Sequence, residues 1–234
     1  MKMLNSLLGV VLIGCLAVVS TIQAAVVVGD TFDADMANWS SAATGGGAAD
    51  GAVSWQASVG GEPGAIQVVA DNGDFQDYIY AFQGPLAGTK DYPAQDIVSV
   101  TFDFYAGAMD GGNGATDLPA DLRLYFVSAG SIYWYYDINP TAGWGGSYFG
   151  YGANFIPNSG WYTADSRSQG LFLGDLADVD QIGLEITYQA WNGQVYGIDN
   201  FNLNDQPVPE PGTYALLATM LASLGITFRK RIGK

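Results

Sequence analysis

The chain has 234 residues, nearly half of them hydrophobic, with 23 acidic residues against 8 basic ones and no histidine. Its one cysteine, Cys15, lies in an apolar N-terminal run, which excludes Ser-His-Asp, Cys-His and imidazole-zinc chemistry, and any disulfide framework, from the rest of the chain. Between Ala25 and Val208 only Lys90, Arg123 and Arg167 are basic, against 22 acids; the resulting charge of −19 repels phosphate backbones and excludes nucleic acid as a partner.

In chain order, Met1-Lys2, the apolar stretch Leu4–Val19 and the small-residue exit at Ile22-Gln23-Ala24 predict a signal peptide over 1–24. Leu12-Ile13-Gly14-Cys15 also matches a lipoprotein cleavage box, which would end the leader earlier. From 25 to 205 there is no long helical periodicity, charge block or repeat. Short runs rich in Val, Ile, Tyr, Phe and Thr are punctuated by Gly, Asn-Gly and Asp-Gly. They predict strands over Val26–Phe32, Val53–Ala57, Ala65–Ala70, Asp77–Phe82, Ile97–Tyr105, Leu122–Ser128, Ile132–Ile138, Gly160–Thr163, Ile182–Tyr188 and Val195–Leu203, with one helical turn over Leu171–Leu176. The expected fold is all-β, a two-sheet jelly-roll β sandwich.

Alternation is clearest in the middle. Val98, Val100, Phe102 and Phe104 share one side of their strand, and Thr101, Asp103 and Tyr105 the other. A three-residue loop, Ala129-Gly130-Ser131, keeps Leu122, Leu124 and Phe126 on the same side as Ile132, Trp134, Tyr136 and Ile138. Tyr125, Tyr133, Tyr135 and Asp137 are then turned outward. A two-residue loop would reverse the second set. Gly143–Gly152 is too glycine-rich for a strand and reads as an aromatic loop. The last segment, 206–234, joins Pro209-Glu210-Pro211, a 17-residue uncharged run over Gly212–Phe228, and Arg229-Lys230-Arg231. It predicts a C-terminal transmembrane helix with its basic end on the cytoplasmic side.

Pro209, Glu210, Pro211, the apolar run and Arg229, Lys230, Arg231, in that order, resemble the PEP-CTERM sorting signal of Gram-negative bacteria. That resemblance implies an exosortase-type processing protease as partner, membrane anchorage before processing, and a final place at the cell surface or in the extracellular matrix. Phe32-Asp33 through Trp39, Trp55, Pro63–Ile66, Tyr80–Gly84, Trp161, Leu171–Leu173 and Gly197–Phe201 resemble the laminin B (laminin IV-type) domain, a jelly roll.

Two surfaces are candidates for chemistry. Tyr125, Tyr133, Tyr135 and Trp144 are candidate ligand-binding rings, because sugar rings present apolar C–H faces that lie well on aromatics. The bland alternative is that these rings fill the core. Asp30, Asp33, Asp35 and Asp199 are candidate calcium ligands if the first and last strands are neighbours; turn-forming Asp is the alternative. The only glutamates between the two ends, Glu62 and Glu185, form no hydrolase signature. The expectation is a non-enzymatic surface or matrix protein that binds polysaccharide weakly, with a carbohydrate-active enzyme and a purely structural component as rivals.

Overall fold

The computed structural model describes residues 25–36, 39–44, 51–70, 78–83, 90–107, 119, 121–138, 147–187 and 195–208. The strands are β1 (Val26–Asp30), β2 (Trp39–Thr44), β3 (Gly51–Val59), β4 (Glu62–Ala70), β5 (Tyr78–Gln83), β6 (Ser99–Ala106), β7 (Asp121–Ser128), β8 (Ile132–Ile138), β9 (Tyr148–Asn154), β10 (Val179–Thr187) and β11 (Val195–Asn204). One sheet runs β3-β4-β11-β6-β9, with β1 sharing the β4 side of β11. The other runs β2-β5-β10-β7-β8. Every pairing is antiparallel.

Successive strands keep changing sheets. Only the hairpins β3–β4 and β7–β8 stay within one. The first turns on Gly60-Gly61, both at positive φ, between the paired Val59 and Glu62. A two-residue loop of this kind matches the twist of its strands. The second hairpin uses the three-residue loop: Leu122 faces Ile138, Leu124 faces Tyr136 and Phe126 faces Trp134. Ala129 and Gly130 hold positive φ there, and Asp180 accepts a bond from the Gly130 amide.

The core lies between the sheets. Phe102, Phe104, Ile198 and Phe201 come from one, and Leu124, Phe126, Trp134, Leu184 and Ile186 from the other, all buried. Each such side chain contributes about 1.5–3 kcal/mol by leaving water. Phe126, Trp134, Phe155, Trp161 and Phe172 pack into one aromatic cluster. Its indole N–H groups do not go unpaired: Trp134 donates to Asp175 and Trp161 to the Asn154 carbonyl. Asp175 also receives both arms of Arg167, at 2.7 and 3.0 Å.

Three expectations need correction. Tyr148–Asn154 is a strand, not a loop, because Gly150 and Gly152 lie where a Cβ would meet Asp103 Oδ1 and the Val100 carbonyl. Glycine here permits close approach rather than marking a turn. Gly160–Thr163 is not a strand; only Tyr162 bridges, to Tyr135. Trp39–Thr44 is a strand that the small-residue run Ser-Ser-Ala-Ala does not announce.

Among the described residues the fold class is corrected to a two-sheet β sandwich. The only α-helix among the described residues is α1 (Phe172–Asp175), and no helix there is long and apolar enough to cross a membrane. Met1–Ala24 and the run from Pro209, Glu210 and Pro211 through Arg229, Lys230 and Arg231 lie outside the described residues.

Candidate functional site

The outer face of the five-stranded sheet is built by alternation. Asp121, Arg123, Tyr125 and Val127 on β7 stand beside Asp137, Tyr135 and Tyr133 on β8, and Gly183 and Glu185 on β10. Tyr125 pairs with Tyr135 on one side and Gly183 on the other. Past Tyr135, the backbone of Tyr162 bonds in both directions and adds a fourth ring to the row. Tyr133 and Tyr135 lie with near-parallel planes, 6.2 Å apart at 16°. Tyr133 is 40% exposed, while Tyr125 is buried beneath both rings at 6.1 and 6.4 Å. Tyr125 is therefore the floor of the row rather than a contact residue. Burial first, then the neighbouring tyrosines and Glu185, pushes its phenol well above the usual range, so it stays neutral.

Below the rings sits one cation. Arg123 donates to the buried Glu185 at 2.8 Å and to Asp137 at 3.2 Å, with Asp121 at 3.7 Å. The Tyr162 hydroxyl donates to the same Asp137 oxygen at 2.6 Å. Burial and this bond push the Tyr162 phenol upward, so it remains a donor. Of the four predicted rings, Tyr125, Tyr133 and Tyr135 come together, and Trp144 lies outside the described residues. Arg123, Glu185 and Tyr162, which complete the face, carry no sequence pattern. Only the outward phase of Arg123, shared with Tyr125, pointed to it.

Of the four aspartates expected at a metal site, Asp30, Asp33 and Asp35 sit together, and Asp199 lies on β11 with Asp33 near enough to act on its carboxyl. Asp30 accepts from the Trp39 indole at 3.2 Å, and Asp33 from the Thr31 hydroxyl at 2.7 Å. With Asp35 they line an open pocket of about 250 Å³. Asp199 is buried on β11, where it accepts from the Asn200 amide at 2.7 Å. Among the described residues no group of three or more acidic side chains is placed to hold a metal ion. Asp199 lies on the outer face of the six-stranded sheet, opposite Asp103. Burial first, then Asp103, Asp33 and Glu62, push its carboxyl up to about 6, against one opposing bond from the Asn200 amide. The two glutamates stand on different sheets, and Glu185 is held by Arg123, so they make no acid–base pair.

The fold is shared with carbohydrate-binding modules. The chain is similar to the family 11 carbohydrate-binding module of the cellulosomal cellulase Lic26A-Cel5E of Clostridium thermocellum: 17% identity, 82% of this chain, 98% of that one, TM-score 0.50. It matches the solution structure of the module CtCBM11 at 19% identity, with 82% and 99% covered and a TM-score of 0.51. An exo-β-agarase carries a similar unit at 16% identity and TM-score 0.50; the match takes 80% of this chain but 25% of the agarase. At identities this low the structural match shows a shared fold alone.

No family model matches the chain, and no curated protein does. The likeness found is to carbohydrate-binding-module folds, and no helix among the described residues is long and apolar enough to cross a membrane, so the PEP-CTERM reading is withdrawn, although the segment that carried it lies outside the described residues. The exosortase-type partner, the membrane anchorage and the surface or matrix localisation rested on it and fall with it. The laminin B resemblance gives way to the carbohydrate-binding-module likeness.

Proposed function

We propose that this is a non-enzymatic domain whose five-stranded sheet holds polysaccharide, weakly, on its outer face. One observation carries the reading: Tyr133 and Tyr135 stand side by side with parallel planes on β8, over a buried third ring. An unsupported exposed tyrosine would lose rotamer freedom on binding. Here Tyr125 and Tyr162 already fix the rings, which lowers that cost. The platform is flat and edged by polar groups, so it suits the apolar faces and hydroxyl rims of a sugar chain better than a compact apolar ligand. The fold it shares with carbohydrate-binding modules supports the same reading.

The test is affinity electrophoresis of the full chain through gels containing soluble neutral polysaccharides, with and without calcium. Retardation that Tyr133→Ala and Tyr135→Ala each weaken supports the proposal. No retardation by any of them leaves a structural sandwich and overturns it.

A further inference from the structure

We propose, resting on the polysaccharide reading, that this face selects by charge: it rejects acidic sugars, accepts neutral ones and holds those bearing free amino groups most tightly. A uronate or sulfated sugar is held most strongly by a cation with free donors. The face has one, Arg123, and three carboxylates already engage it: Glu185, Asp137 and Asp121. Lys90 and Arg167, the other two basic residues of the sandwich, are committed elsewhere, to Asp180 and Asp175. A fourth anion here would compete with a network that already exceeds the guanidinium by two negative charges.

That excess is placed where a ligand meets it. Glu185 is buried, but the Asp121 and Asp137 side chains are 58% and 56% exposed, at the foot of the tyrosine row. Both bonds to Asp137 fall on Oδ1. A protonated amine supplies donors and positive charge to this corner. A hydroxyl supplies donors alone, and a carboxylate supplies neither.

The experiment compares three β-1,4-linked hexasaccharides of glucose, glucosamine and glucuronate by calorimetry on the full chain, at mildly acidic pH and low salt. The glucosamine hexamer is expected to bind about five- to tenfold tighter than the glucose hexamer, with the advantage fading as salt rises. The glucuronate hexamer is expected not to bind. Asp121→Asn with Asp137→Asn should bring the ratio of glucosamine to glucose affinity down to about one. Asp33→Asn with Asp35→Asn, which removes the same charge away from this face, should preserve the advantage. Equal or tighter binding of glucuronate overturns the inference. So does an amine advantage that survives the Asp121/Asp137 change, since that would be attraction to net charge alone. Failure of all three hexamers overturns the polysaccharide reading as well, whereas glucose binding without an amine advantage overturns only the charge selection.

Discussion

The two outward faces of the sandwich carry the same residue types and use them differently. On the five-stranded sheet, Tyr133 stands exposed beside the half-buried Tyr135 and the buried Tyr125, and acids surround a cation. On the six-stranded sheet, Tyr105 and Tyr148 stack on each other at 5.3 Å, and their rings fill space left by glycines. A Cβ on Gly60 would meet the Tyr105 ring at 2.5 Å, and one on Gly197 would meet the Tyr148 hydroxyl at 2.3 Å. The acids there, Asp103 and Asp199, pair with no cation among the described residues and accept instead from the Asn200 amide groups. The chain past β11 then returns over this face: Ser99 donates to the Gln206 carbonyl, and the Asn154 side-chain amide bonds Val208 in both directions. One face seats its rings against glycines, and the other sets them around an arginine and its acids. Glycine placement and one arginine make the difference, not aromatic or acidic content.

The largest expected effect tests the cation. Arg123→Ala strands the buried Glu185 carboxylate and should cost about 3–5 kcal/mol in urea unfolding, where an exposed ion pair would cost under about 1 kcal/mol. A loss of the smaller size would mean that the face is held only by its rings.

Next comes the six-stranded face. Gly197→Ala pushes a methyl group into the Tyr148 hydroxyl and should destabilise by about 1–3 kcal/mol, with Tyr148→Phe in the same chain restoring part of the loss. If Gly197→Ala is neutral by thermal melting, Tyr148 moves freely and is not seated against the glycine.

Third, the unpaired acids give the sandwich a pH slope. Asp199 holds its proton to about 6 in the folded chain, against an ordinary value of 3.8. Its contribution is therefore fully present below about pH 3.8 and is lost as pH rises through about 6. Asp199→Asn should remove that slope and raise stability near neutral pH by about 1–2 kcal/mol, because a carboxyl raised by one pH unit is worth about 1.4 kcal/mol before solvent screening weakens it. Unfolding midpoints across that pH range measure it, and an unchanged slope would place its origin in another carboxyl.

The smallest change in stability belongs to the five-stranded face. Tyr133→Ala should alter unfolding by less than about 1 kcal/mol, because the ring is 40% exposed, yet weaken polysaccharide binding about threefold to tenfold. A large stability loss would assign Tyr133 to packing instead.

Much of the five-stranded sheet was legible from local pattern. Residues two apart share a face, so the outward set of Tyr125, Tyr133, Tyr135 and Asp137 followed from the apolar character of Leu122, Leu124, Trp134 and Ile138 and the length of one loop. The six-stranded sheet was less legible, because its features depend on neighbours far along the chain. Tyr148–Asn154 looks like a loop until β6 lies beside it. Asn200, at positive φ, inserts one extra residue against β6, so the inward set changes from Tyr196 and Ile198 to Phe201 and Leu203. Nothing in the strand's own pattern gives the position of that bulge.

The sequence by itself determined that this is an acidic all-β domain without thiol or imidazole chemistry, and which side of β7 and β8 is greasy, because composition and period-two alternation are local properties. Only the tertiary structure decided which sheet each strand joins, that Asp199 faces Asp103, and that Arg123 is engaged by Glu185. Those outcomes come from antiparallel pairing between segments tens of residues apart, where burial and opposing charge, absent from any short stretch of chain, set the result.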